Sequence, residues 1–260
     1  MDVGFRSPLL DFFKRGEVAK DVRLLAARGA LAPRAQEQVA LLAMLTEDGD
    51  PEVRDAAEAT LAAIPSDTLA TFLGKTDVTE GLREFFRGRG IEPIMGAVSS
   101  DEPLVDIEPE IEPAGEEADD DAARQSASQR LGLLGVGDKM KAAMKGSKEE
   151  RAVLIRDSNK LVSVAVLSSP KLSESEVESF AKMANLSEEV LRIIGMNRAW
   201  IKNYGVIAAL TRNPKTPLGV SLNFVQRLND KDLKMIAMDR NLQEPLKLAV
   251  RKRLTTPDKK

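Results

Sequence analysis

Side chains able to do chemistry are scarce in this chain. Cysteine and histidine are both absent from its 260 residues. That removes thiolate nucleophiles, His-based triads, disulfides, and zinc sites built on thiolate or imidazole. Carboxylates, Lys, Ser and Tyr remain. The run Gly219-Val220-Ser221-Leu222-Asn223 falls short of a nucleophile elbow, because the second glycine and a base partner are missing, and it falls inside a predicted helix. Leu131 to Met140 invites a phosphate-loop reading, yet Asp138 intrudes before Lys139 and Met140 replaces the hydroxyl that would hold magnesium. A flexible glycine hinge opening a helix is the preferred reading there. The acidic turn Thr46-Glu47-Asp48-Gly49-Asp50 lacks calcium-loop spacing, so it is read as a solvated turn that caps a helix starting at Pro51. No catalytic, cofactor or metal site is predicted.

Recognition chemistry is better represented. Trp200 and Tyr204 are the only Trp and Tyr, four residues apart, which on one helix places them on one face with Ile207. Such a stripe is ordinarily core. Arg198, Lys202, Arg212 and Lys215 gather around one expected repeat junction, and Lys247, Arg251, Lys252 and Arg253, with Lys259 and Lys260, decorate the last. Lys and Arg at loops and helix ends suit sequence-tolerant contact with phosphates. Glu188, Glu189, Asp230, Asp232 and Asp239 are interleaved with them, as solubility of a helical outer face requires. Arg198 to Lys215 and Lys247 to Arg253, with Trp200 and Tyr204 as aromatic anchors, form the candidate interaction surface.

The elements that must carry these residues are helices. Aromatics are only 4% of the chain, so cores must be built of Leu, Ala, Val and Ile, which favours helices over sandwiches. Ser7-Pro8 and Thr216-Pro217 pair a hydroxyl N-cap with Pro at the first helical position. Ser147 with Glu150 and Ser173 with Glu176 fit the capping box, and Ser187 precedes Glu188 and Glu189. Gly16 and Gly29 stand where helices should close.

The chain also repeats itself. Pro170, Pro214 and Pro257 follow Leu167, Leu210 and Leu254 at a period of 44 and then 43 residues, and Pro65 follows Leu61 in the same manner. Leu191 to Arg198 returns in residue type as Leu233 to Arg240, 42 residues later. Such a period implies one supersecondary unit used repeatedly, expected here to be a helix pair. The segment Asp50-Pro51-Glu52-Val53-Arg54-Asp55-Ala56-Ala57, followed by Leu61, carries an Asp-x-x-Val-Arg-x-x-Ala pattern. With the period, it resembles the HEAT and armadillo class of helical repeats, although Lys202 and Pro245 stand where that pattern has an aliphatic residue. The resemblance implies a curved α-solenoid that binds other macromolecules. HEAT-like DNA glycosylases use an aromatic and an acid on such a scaffold, and the sequence offers Trp200 and Tyr204 no evident acid partner.

Composition divides the chain. Residues 101 to 121 hold eleven acids, no base, and Pro103, Pro109 and Pro113, so residues 97–130 are read as a disordered acidic linker. Residues 138 to 260 carry 24 Lys and Arg against 14 Asp and Glu, whereas residues 1 to 137 carry 14 against 27. The expected organisation is all-α: helical-repeat modules at 1–96 and 131–260 flanking that linker. The expected role is a non-catalytic scaffold or adaptor for another protein. Nucleic-acid binding by the basic module is the alternative, and an intramolecular contact between linker and basic module is a further expectation. No long apolar run follows Met1, so a cytoplasmic location is expected.

Overall fold

The computed structural model describes residues 4–5, 7–32, 34–95, 102–105 and 127–255. Among them every regular element is helical, and no helix is long and apolar enough to cross a membrane. The front half contains α1 (Pro8–Lys14), α2 (Lys20–Ala27), α3 (Ala35–Leu45), α4 (Pro51–Ala63), α5 (Ser66–Leu73) and α6 (Glu80–Arg87). Helical residues 127–132 form α7. The back half follows with α8 (Val136–Lys145), α9 (Lys148–Leu154), α10 (Lys160–Leu167), α11 (Glu174–Lys182) and α12 (Glu188–Met196). It ends with α13 (Tyr204–Arg212), α14 (Leu218–Phe224), α15 (Asp230–Met238) and α16 (Glu244–Thr255).

Helix starts follow local chemistry closely. The Ser7 hydroxyl accepts from the Leu10 N–H at 3.2 Å with Pro8 next in line. Both capping boxes are complete, at Ser147/Glu150 and Ser173/Glu176. Asp50 caps α4 by accepting the Glu52 N–H at 3.0 Å. The carboxylates of that acidic turn are engaged by Lys20 and Arg23 of α2, so the turn is a structural joint. Thr216-Pro217 departs from the Ser7-Pro8 device: Pro217 is itself the N-cap of α14, and the buried Thr216 hydroxyl caps nothing. The Trp200–Tyr204 helix is also corrected. Trp200–Lys202 is a short 3-10 turn, and α13 begins anew at Tyr204 because Asn203 caps it through the Gly205 N–H at 2.8 Å.

The repeat has a different content from the expected helix pair. Between Pro170 and Pro214 lie three helices, α11, α12 and α13, and three more, α14 to α16, follow Pro214. Packing sorts them into two rows, α8, α10, α12, α14 and α16 in one, α11, α13 and α15 in the other. Within a row, helices after α10 start 26 to 30 residues apart. The 42 to 44 residue echo therefore spans one and a half packing pairs and lands on the opposite row. Leu191 on α12 and Leu233 on α15 are both buried because each row turns the same kind of apolar stripe toward the other, so the same local sequence serves both.

The two halves share one hydrophobic core. Here α1 packs on α10, and α2 on α8. A Cβ at Gly137 of α8 would lie 2.0 Å from Leu25 Cδ1 of α2, so the glycine expected to act as a hinge is instead a close-packing point. Lys139 beside it is spent on Asp157 at 2.9 Å. Of the stretch 97–130, the described parts include residues bound to this body: Leu104 and Val105 pack on the core, and Ala127 is buried. The central acidic run and its expected contact with the basic half lie outside the described residues.

Candidate protein-binding groove

A concavity of about 540 Å³ in the back half runs across α11, α13 and α15. Its floor is made of small residues, Ala184, Gly205, Ala208 and Ala209, and its rim of Glu178, Lys182, Tyr204, Arg212, Asp232 and Asp239. Small residues on α13 let neighbouring side chains lie over its backbone. A Cβ at Gly205 would come within 2.4 Å of the Glu178 carboxylate. Glu178 itself is held by Lys182 one turn along α11, at 2.6 Å.

Tyr204 closes one end. Its hydroxyl donates to Asp232 and accepts the Asn229 N–H at 3.2 Å. Arg212, at the other end of α13, approaches the same Asp232 at 3.6 Å. Desolvation raises the Tyr204 pKa; the Asn229 N–H acts against this and the Asp232 carboxylate adds to it. The phenol therefore stays a donor at neutral pH, the opposite of a tyrosine tuned for proton abstraction. Each rim cation faces a rim carboxylate. The arrangement can exchange internal ion pairs for those of a bound chain, which is recognition chemistry. Among the described residues no cluster of three or more carboxylates has metal-holding geometry.

The predicted surface divides on the structure. Tyr204 and Arg212 line the groove. Trp200 does not; it is half-buried and packs on the core. Arg198 and Lys202 are exposed before α13, while Arg212 ends it and Lys215 follows. They sit at opposite ends of a nine-residue helix, about 13 Å apart along its axis, and form no single junction. On α16, Lys247 pairs with Glu244 at 2.7 Å and Arg251 with the same carboxylate at 3.4 Å. These cations, Lys247 first, hold the Glu244 pKa below its ordinary value. Lys252 is exposed and Arg253 half-buried.

Glu178 and Lys182 escaped the sequence reading, and Asp232 and Asp239 entered it only as acids of a soluble outer face. The missing acid beside Tyr204 is Asp232, 28 residues on, one packing pair away in the same row. A search at that spacing, in place of 43, would have found it. Comparison with protein-family models, with curated proteins and with solved structures finds no match to this chain.

Proposed function

We propose that this chain is a non-catalytic scaffold of the α-solenoid kind, related in construction to the HEAT and armadillo class, that holds a segment of another protein along α11, α13 and α15. The carrying observation is a groove with a small-residue floor and a mixed rim of three carboxylates, two cations and one phenol. A floor of Ala208 and Ala209 admits a partner's side chains close to the helix backbone, beside Gly205, which the Glu178 carboxylate covers. The rim fixes their direction, and Tyr204 supplies a rigid amphipathic anchor. The cytoplasm is the compartment this reading assigns.

Nucleic-acid binding is the second reading, favoured by the excess of 24 basic over 14 acidic residues in 138–260. Pairing of Lys182, Arg192, Arg212, Lys247 and Arg251 with carboxylates weighs against it, since those cations would have to be released before they could meet phosphates. The test is capture on the full chain with nuclease and moderate salt, beside an Ala209→Arg variant that fills the groove. A protein retained by the native chain, cross-linked to α13, and lost on Ala209→Arg supports the scaffold. Retention of nucleic acid alone, falling steeply with salt, replaces it with the second reading.

A further inference from the structure

A second site lies on the front half and owes nothing to the groove. Gln38 on α3 is 1% exposed. Its carboxamide Nε2 donates to the Gly29 carbonyl at 2.9 Å and to the Val105 carbonyl at 2.7 Å, and its Oε1 accepts the Val105 N–H at 3.0 Å. One buried side chain thus offers residue 105 the donor and acceptor that a neighbouring β-strand would offer. Those bonds read backbone, and any segment that can follow the bent course of 102–105 carries the same groups. Around them the surface selects shape. Gly29 has φ +83°, and a Cβ there would lie 3.1 Å from Val105, so the turn after α2 is cut away where the valine sits. Leu104 and Val105 rest half-buried on the core.

We propose that the α2–α3 turn is a receptor for short peptides, and that residues 102–105 occupy it in cis, in competition with a partner protein's segment of the same chemistry. That chemistry is two adjacent aliphatic residues after a proline, flanked by acids, as in Asp101-Glu102-Pro103-Leu104-Val105-Asp106. Arg28, exposed at the end of α2, suits such acids. The described hydrogen bonds from the backbone of 102–105 go to Gln38, so the segment is held by few groups and its tether supplies much of its occupancy. An emptied site would leave the buried Gln38 carboxamide with the Gly29 carbonyl alone and its Oε1 without a donor, so exchange for another peptide is favoured over vacancy.

The test uses a labelled peptide of sequence 101–106 and the full chain, followed by fluorescence anisotropy. A Leu104→Asp/Val105→Asp double variant releases the cis segment, and the peptide should bind it at least about tenfold more tightly than the native chain. N-methylation of the peptide's valine nitrogen, which removes the bond to Gln38 without touching the protein, should abolish binding. Gln38→Glu, which turns a carboxylate oxygen toward two carbonyls, should weaken it about tenfold or more. No binding to a double variant that melts like the native chain overturns the proposal, as does equal binding of the methylated peptide. Self-association of the native chain by exchange of 102–105 also overturns it, because the occupant is then a second copy.

Discussion

Asn213 is the residue whose replacement tests the packing of α13 on α11 most directly. It is 5% exposed, at the C-terminal end of α13. Its Nδ2 donates to the carbonyls of Ala181 and Met183 at the end of α11, both at 2.9 Å, while its Oδ1 accepts the Lys215 N–H at 3.0 Å. Asn213→Ala removes all three bonds. Each carbonyl left dry costs about 1–3 kcal/mol. The Met183 carbonyl is only partly buried, so water recovers some of that, and a loss of about 3 kcal/mol is expected. With a urea slope of about 3 kcal/mol/M for a chain of this size, the midpoint should fall by about 1 M. Circular dichroism reports the helices, and fluorescence of Trp200, the only tryptophan, reports the neighbourhood of α13. Coincident transitions license the two-state treatment. Asn197 supplies the control. It closes a similar turn by accepting the Ala199 N–H at 2.9 Å, in an exposed setting, and its replacement by Ala should cost no more than about 1 kcal/mol. Asn213→Asp keeps the acceptor for Lys215 but points a carboxylate at two carbonyls, so it should be at least as harmful as Ala. A midpoint shift under about 0.2 M, equal effects at 213 and 197, or tolerance of Asp would refute the clasp between α13 and α11.

Three further outcomes follow from buried contacts. Arg151 and Glu176 are both 5% exposed and doubly bonded at 3.0 Å, so Arg151→Met alone should destabilise by about 3–5 kcal/mol in urea melts, and replacing both residues with apolar ones should cost less. Burial raises the pKa of Glu37 over the opposing effects of the Ser7 hydroxyl and Arg34. The folded chain therefore binds that proton more tightly than the unfolded chain. This contribution to stability is fully present below the ordinary carboxylate pKa and is lost as pH rises through the folded value. Glu37→Gln should flatten melting temperature against pH on that side and raise it at neutral pH; an unchanged slope would show that Glu37 is not responsible. Gly137→Ala drives a methyl against Leu25 and should cost about 1–2 kcal/mol, partly recovered when combined with Leu25→Ala.

Local chemistry made much of the fold legible. The capping boxes at Ser147 and Ser173, the Ser7-Pro8 start and the Asp50 cap each depend on residues three or fewer apart, and such bonds are written in the chain itself. Helical class follows as directly, from an aromatic-poor core of Leu, Ala, Val and Ile. The site was legible only in part. Tyr204 and Arg212 stood out by type, but Asp232, which binds them both, looked like one more solvent-facing acid.

What the sequence determined by itself, then, was helix identity and most helix starts. Tertiary structure decided which helices are neighbours. Leu191 and Leu233 look equivalent because each needs only an apolar stripe facing the opposite row, and a stripe does not encode which row it belongs to. Gln38 makes the same point more sharply: its partner lies 67 residues away, and nothing in the local sequence distinguishes a buried glutamine that holds a peptide backbone from an exposed one in water. Periodicity and capping act within a turn or two of helix, whereas burial and long-range pairing exist only once the chain has packed.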